Sequence, residues 1–341
     1  MTGACCGDSI SLERIRAAAA FLRGRVHRTP LLSSATAARL VGASGGTRPA
    51  DGRIYLKAEH LQRTGSFKPR GATLKIASLS PAERAAGVIA ISAGNHAQAV
   101  ALAAAGAGVA VTVVMPATAV PAKVAACRAY GAEVILHGVD TAVAWAEMER
   151  IREARGLTFV HPFDDPAIIT GQGTVGLEIL EDLPGVDVVV VGVGGGGLAV
   201  GIALAVKALR PVARVYGVEP ERSNALSRAL AAGTIVPIRP DSVADGLNAP
   251  FAAPLTMDLA GRLLDGIVLL PDAEILAGVR FALERLKQVL EPAGAAALAA
   301  LLFGRVPVRD GERVCAVLSG GNVEPDQLAG LLSRAAPLPG S

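Results

Sequence analysis

Short runs dominated by valine and isoleucine recur along the chain at 54–56, 88–91, 109–114, 134–136, 186–191, 215–218, 267–270 and 314–318, and helix-like stretches separate them. Runs this short and this apolar suit strands covered on both faces, and their alternation with helices is the pattern of βα units around parallel sheets. The fold class is therefore α/β. A length of 341 residues allows two domains, or one domain carrying a second lobe. Helix signals agree: Pro121 sits in a first helical turn and Gly131 at a stop, which predicts a helix and then a strand across 121–136. No fixed-period repeat, linker or charge block interrupts the pattern, and the Pro- and Gly-containing tail 337–341 is expected to be disordered.

The 33 Lys and Arg against 30 Asp and Glu are spread evenly, giving a net charge of only +3 and no footprint for nucleic acid. A small-molecule partner is expected. Cys5 and Cys6 are adjacent, while Cys127 and Cys315 stand alone, a spacing that matches neither a zinc site nor a disulfide framework. A reducing, cytoplasmic setting follows. Residues 1–11 have neither a basic nor an apolar leader region, so no signal peptide is expected. The segments 97–115 and 186–208 are apolar enough to suggest a membrane, but glycines break both. Each reads instead as a helix and a strand: 97–105 followed by 109–114, and 186–191 followed by a helix from Leu198.

Three loops carry residue types suited to chemistry. The octapeptide 64–71, Thr-Gly-Ser-Phe-Lys-Pro-Arg-Gly, puts Lys68 among glycines, where the backbone can approach a ligand closely. Its plain alternative is a surface lysine in a turn. The segment 92–96, Ser-Ala-Gly-Asn-His, leads from a strand into a helix, whose first amides can receive a substrate carboxylate. Asn95 and His96 also suit an ordinary cap and turn. The third loop, Gly194, Gly195, Gly196 and Gly197, again joins strand to helix, and its unobstructed amides can wrap a phosphate. A rival use of the same glycines exists. Gly192, Gly194 and Gly197 satisfy the dinucleotide fingerprint, with Glu219 as its acidic residue after the next strand. A fourth segment, 318–322, Leu-Ser-Gly-Gly-Asn, closes the last strand.

Taken in this order, the loops resemble the serine/threonine dehydratase and serine racemase branch of the fold type II pyridoxal phosphate (PLP) enzymes. The resemblance runs from residue 27 to 322 and includes 57–59 (Lys-Ala-Glu), Gln62, 171–174 (Gly-Gln-Gly-Thr), 218–220 (Val-Glu-Pro), 244–246 (Ala-Asp-Gly) and 291–294 (Glu-Pro-Ala-Gly). It implies a tryptophan synthase β-like architecture of two lobes, each a mainly parallel open sheet flanked by helices. Residues 1–82 with 162–341 would form the large cofactor lobe and 83–161 the small one.

By the same resemblance Lys68 carries PLP as a Schiff base and later moves the α-proton, Phe67 packs beside the ring, and Asn95 bonds the cofactor's 3′-oxygen. Gly194 to Gly197 hold the phosphate, and Ser319 meets the pyridine nitrogen. A neutral hydroxyl there makes the ring a weaker electron sink, which favours prompt loss of a β-leaving group. Ser92, Ala93, Gly94, Asn95 and His96 hold the substrate carboxylate. The expected reaction is β-elimination of water from L-threonine or L-serine to a 2-oxo acid and ammonia, in a homodimer or homotetramer. Other β-hydroxy amino acids, such as threo-3-hydroxyaspartate, remain alternatives.

Departures from the family pattern sharpen these expectations. Racemases place a second serine where this chain has Ala93, so racemisation is expected to be minor. Members with a divalent cation carry a carboxylate six residues past the glutamate of Val-Glu-Pro; here that position is Ala225, which leaves Glu219 as the one candidate for a divalent or monovalent cation. The chain stops about 20 residues beyond Ser319, so a C-terminal regulatory domain is not expected. The rivals from other classes are a nicotinamide-dependent oxidoreductase built on Gly192, Gly194, Gly197 and Glu219, and a PLP-binding protein without catalysis.

Overall fold

A computed structural model describes residues 10–139 and 141–339. Cys5 and Cys6 and the end of the tail, Gly340 and Ser341, lie outside them. The strands are β1 (Leu31–Ser34), β2 (Ile54–Lys57), β3 (Val88–Ile91), β4 (Val111–Met115), β5 (Glu133–Leu136), β6 (Thr158–Phe159), β7 (Val188–Gly192), β8 (Arg214–Pro220), β9 (Gly266–Leu270) and β10 (Val314–Val317). They form a six-stranded sheet in the order β1-β2-β10-β7-β8-β9 and a four-stranded sheet in the order β5-β4-β3-β6. Every pairing among these strands is parallel except β1 with β2.

The Val and Ile runs form strands because both faces of each sheet are covered. In the larger sheet Val188, Val190, Val314 and Ala316 face one apolar cluster, and their neighbours Val189, Val191, Cys315 and Val317 face another. The smaller sheet divides likewise, with Val88 and Ala90 on one side and Ile89 and Ile91 on the other. Side chains alternate between faces, so a strand buried on both must be apolar at every position.

Where expectation and structure differ, local hydrogen bonding decides. The run at 109 enters its strand only at Val111, because Gly108 caps the preceding helix in the left-handed conformation (φ +64°) and Val109 N–H donates back to Ala104 O. That helix spans Asn95–Ala107, longer than expected at both ends. Strand β1, Leu-Leu-Ser-Ser, has no β-branched residue and becomes a strand only by antiparallel pairing with β2. The tail is not free as far as it is described, since Leu338 packs against the core. The helix Pro121–Ala129 with Gly131 at φ +82°, and the helix Gly197–Leu209, stand where the sequence placed them. Cys127 and Cys315 are buried free thiols, and burial raises them to about 11 and about 12. Among the described residues no helix is long and apolar enough to cross a membrane.

Two features fix the helix that follows Lys68, Pro69–Ala77. The first is close backbone approach. A Cβ on Gly171, in the helix Pro166–Asp182, would lie 2.6 Å from Gly71 Cα, and one on Gly201 would lie 2.6 Å from Ile169 O. The glycines of 171–176 thus let this long helix touch its neighbours on both sides. The second is a buried charge cluster. Arg70, 1% exposed, donates to Glu59 through Nε and Nη2 (both 2.8 Å) and to Glu178 through Nη1 and Nη2 (2.7 and 2.9 Å). Lys57 Nζ donates to Glu178 (2.6 Å) and to Thr29 O (2.7 Å), and Thr29 Oγ1 donates to Glu59 (2.5 Å). Burial disfavours the Arg70 charge, yet the two carboxylates outweigh it and raise its pKa. Removing one member of such a cluster typically costs about 3–5 kcal/mol, because its partner is left buried and unpaired.

Glycine substitutions test the packing. Gly171→Ala is expected to destabilise the protein by about 1–3 kcal/mol in denaturant titration, since its methyl meets backbone. Gly106→Ala, inside the helix Asn95–Ala107 with nothing within 4 Å of its Cβ, is expected to stabilise by about 0.5–1 kcal/mol. Equal effects at the two positions would contradict the close approach.

Candidate active site

The loops after β2, β3, β7 and β10 converge, since parallel strands present their carboxyl ends on one side. They surround a cavity of about 490 Å³ lined by Phe67, Lys68, Ser92, Ala93, Gly94, Asn95, His96, Gly194, Gly195, Gly196, Gly197 and Ser319. All site residues expected from the sequence except Glu219 therefore meet in one place.

Lys68 immediately precedes the helix Pro69–Ala77, and Pro69 supplies the preset first turn. Its Nζ donates to Pro162 O at 2.7 Å and lies 5.2 Å from the Phe67 ring centre. Desolvation lowers the amine from 10.5 to about 8, with Glu291 pulling the other way. A neutral, nucleophilic amine is thus accessible near neutral pH.

The lysine loop is tied to the β10 loop. Phe67 N–H donates to Ser319 O (3.2 Å), Gly321 N–H to Gly65 O (2.9 Å), and Ser66 bridges Gly320. Ser319 is buried beside them, its hydroxyl donating to Ala293 O at 3.3 Å. Asn95 opens its helix and donates through Nδ2 to Glu291 Oε1 (2.6 Å), while its Oδ1 accepts from Asn322 Nδ2 (2.7 Å). Asn322 also donates to Thr64 O (2.6 Å), so one relay of hydrogen bonds joins four loops. Glycines permit this closeness. A Cβ on Gly320 would sit 2.1 Å from Glu291 Oε1, and one on Gly294 would sit 2.0 Å from Gly320 O.

Two helix N-termini line the cavity, one following a strand of each sheet. Gly94 precedes the helix Asn95–Ala107, and Ser92 Oγ accepts from Gly94 N at 3.1 Å. Gly194 to Gly197 lead into the helix Gly197–Leu209, with Gly196 at φ +92°. No side chain fits at two positions of this second loop. A Cβ on Gly195 would lie 2.1 Å from the Phe163 ring, and one on Gly197 would lie 2.7 Å from Phe163 O. Free amides at a helix N-terminus suit a phosphate, and a desolvated lysine suits an aldehyde. Pyridoxal phosphate carries both groups, so the donor set fits it.

His96 is buried, and its Nε2 faces Val160 O at 2.8 Å. Desolvation, together with Lys68, lowers it to about 3, so it is a neutral imidazole tying its helix to the residue just after β6. Only its backbone N–H, in the first helical turn, is left to serve an anion. Glu219 stands away from the cavity. Its carboxylate accepts from Leu226 N and Ser227 N (both 2.9 Å) and Ser227 Oγ (2.5 Å), so it serves the helix Ala225–Ala232. Burial raises its pKa. The residue singled out for a cation, or for a ribose in the dinucleotide alternative, is thus engaged by a helix start. Among the described residues no group of three or more His, Cys, Asp or Glu is placed to hold a metal ion.

Several polar residues of the cavity carry no role in the sequence reading, and two of them are buried deeply. Glu291, in the segment Glu-Pro-Ala-Gly, is buried against Asn95, and desolvation raises it to about 7. Gln172, 1% exposed, lines the cavity with neither end of its amide bonded within the protein. Both lie in segments quoted for the resemblance, but only the three-dimensional contacts reveal what their side chains face.

Similarity to known proteins agrees with this geometry. Residues 22–320 match the family model described as pyridoxal-phosphate dependent enzyme. The L-threonine ammonia-lyase of Thermotoga maritima is 43% identical over 326 residues, 95% of this chain and 79% of that protein. Among solved structures, the threonine deaminase of T.th. superimposes with a TM-score of 0.82 at 42% identity, covering 92% of this chain and 99% of that one. Maize serine racemase superimposes with a TM-score of 0.87 at 34% identity, covering 96% and 98%. With a desolvated lysine, a glycine loop at a helix N-terminus and a family match across most of its length, this chain belongs to the pyridoxal-phosphate dependent enzymes, in the fold type II architecture.

Proposed function

We propose that the protein is a PLP-dependent ammonia-lyase that converts L-threonine, with overlap onto L-serine, to a 2-oxo acid and ammonia. The observation that carries this is the placement of Lys68 between two helix N-termini, one suited to the cofactor phosphate and the other to a substrate carboxylate. The relatives named threonine ammonia-lyase and threonine deaminase support the choice of reaction.

In this assignment Gly194 to Gly197 hold the phosphate, Ser319 meets the ring nitrogen, Phe67 packs beside the ring, and Asn95, set by Glu291 and Asn322, bonds the 3′-oxygen. When bound, PLP supplies an electron sink for the pair left on the substrate α-carbon. Lys68 would hold the cofactor through Nζ, the atom that donates to Pro162 O in this structure, and the same amine, once free, would take the substrate's α-proton. The amides of 92–96 orient the carboxylate. Water lost at the β-carbon is regained on hydrolysis of the released enamine, so the net products are a 2-oxo acid and ammonia. Ala93 offers no group to return a proton on the opposite face, which disfavours racemisation.

The proposed lobes, 1–82 with 162–341 and 83–161, follow the division of strands between the two sheets. Assembly as a homodimer or homotetramer and a cytoplasmic location belong to the same proposal.

Incubation of the PLP-loaded protein with L-threonine or L-serine is expected to release 2-oxo acid, and Lys68→Ala is expected to lower the rate by at least about 10²-fold. Undiminished turnover in that variant would remove Lys68 from the chemistry. The pH dependence follows from burial. Neutral Lys68 grows with pH through about 8, so borohydride trapping of added PLP, followed by mass spectrometry, should rise and level off around that pH. A rise continuing toward the ordinary lysine range would show the amine to be solvated.

A further inference from the structure

The chain has one Trp, three Tyr and seven Phe, and Trp145, Phe159, Phe163 and Phe251 join His161 in one continuous ring cluster. Trp145 meets Phe159 and Phe251 edge-on at 5.5 and 6.1 Å, His161 lies 5.6 Å from Phe159 and 4.6 Å from Phe163, and Phe163 lies 6.4 Å from Phe251. Trp145, Phe163 and Phe251 line the active-site cavity.

The position of this wall follows from its neighbours. Trp145 packs in the apolar cluster of Ile91, the residue just before Ser92. Phe163 directly follows Pro162, whose carbonyl receives Lys68 Nζ. The wall therefore lies beside both points assigned above to an amino acid substrate, its carboxylate at 92–96 and its α-carbon at Lys68. A substituent on the β-carbon of an amino acid held at these two points would share the cavity with the rings.

The wall also lacks positive charge. Burial lowers His161 to about 4, and its Nδ1 accepts from Phe163 N and Asp164 N. His96 is neutral for the reasons given above. The other cations lining the cavity are Lys68, which carries the cofactor, and Lys123, which shares a second, adjoining cavity with Asp245 and Glu291. A methyl group gains by leaving water for these rings, whereas a carboxylate placed there loses hydration and meets no cation on them, only the Trp145 indole N–H.

We propose that Trp145, Phe163 and Phe251 form the specificity wall for the substrate's β-substituent, so that the enzyme prefers L-threonine to L-serine and rejects 3-hydroxyaspartate. The inference rests on the lyase function proposed above, and it assigns residues to a choice that the sequence leaves open.

The test compares kcat/KM for L-threonine, L-serine and threo-3-hydroxyaspartate in the PLP-loaded wild type and Phe251→Ala. One methyl in an apolar pocket supports a preference of about tenfold or more for threonine over serine, and Phe251→Ala should bring that ratio toward unity mainly through threonine. Hydroxyaspartate should be poorer than threonine by at least about 100-fold. Trp145 is the one tryptophan in the chain, so its fluorescence reports binding at the wall without turnover. In PLP-loaded Lys68→Ala, L-threonine should change that emission at lower concentration than L-serine.

An unchanged threonine-to-serine ratio in a folded Phe251→Ala protein, equal affinities in the fluorescence titration, or comparable turnover of hydroxyaspartate would overturn the wall. Should Phe251→Ala not fold, the milder Phe251→Leu and the titration decide. Absence of oxo acid from all three substrates would instead remove the lyase assignment, and the titration would still rank the amino acids at the wall.

Discussion

The buried cluster of Arg70, Glu59, Glu178 and Lys57 binds three parts of the chain that must hold still together. Glu59 and Lys57 belong to the end of β2 and the turn after it, Arg70 to the first turn of the helix behind Lys68, and Glu178 to the long central helix. Two positive and two negative groups balance, and the bonds from Arg70 are directional and reach both carboxylates. An apolar patch could hold the same elements together, but it would not fix the rotation of the Lys68 helix about its own axis. That rotation determines whether the amine points at Pro162 and the cavity.

Glycine does complementary work around that anchor. The helices carrying Gly71, Gly171 and Gly201 come close enough that a methyl at these positions would enter backbone. At the cavity the same principle acts on loops: Gly195 lies under the Phe163 ring, Gly320 makes room for Glu291, and Gly294 makes room for Gly320. The motifs 291–294 and 318–322 are thus linked sterically, as are 64–71 and 171–174, each leaving space that its partner occupies. This is a physical reason for their joint appearance in one chain.

The electrostatics of the cavity follow from desolvation. The same burial that lowers Lys68 to about 8 raises Glu291 to about 7. An amine and a carboxyl that would differ widely in water are thereby brought close to one another near neutral pH. Asn95 joins Glu291 to the relay ending at Thr64, a few residues before the lysine.

Much of this was legible in the linear chain. Apolar runs and their spacing determined an α/β fold with doubly covered sheets, because a strand buried on both faces admits only apolar residues. The placement of glycine loops after such strands determined where anions could bind, because helix N-termini follow there. The resemblance carried by the loops pointed to the cofactor and to Lys68. Other features needed the folded molecule. Strand β1 exists through pairing with a distant partner, Glu219 is engaged by a helix that begins six residues later, and His96 turns away to bind Val160. The ring wall of Trp145, Phe163 and Phe251 has no local signature at all, since its members come from a helix and two loops that meet only at the cleft. Periodicity and turn chemistry act over a few residues and can be read from sequence, whereas the direction in which a buried side chain points depends on contacts between segments far apart in the chain, and only the tertiary structure decides those.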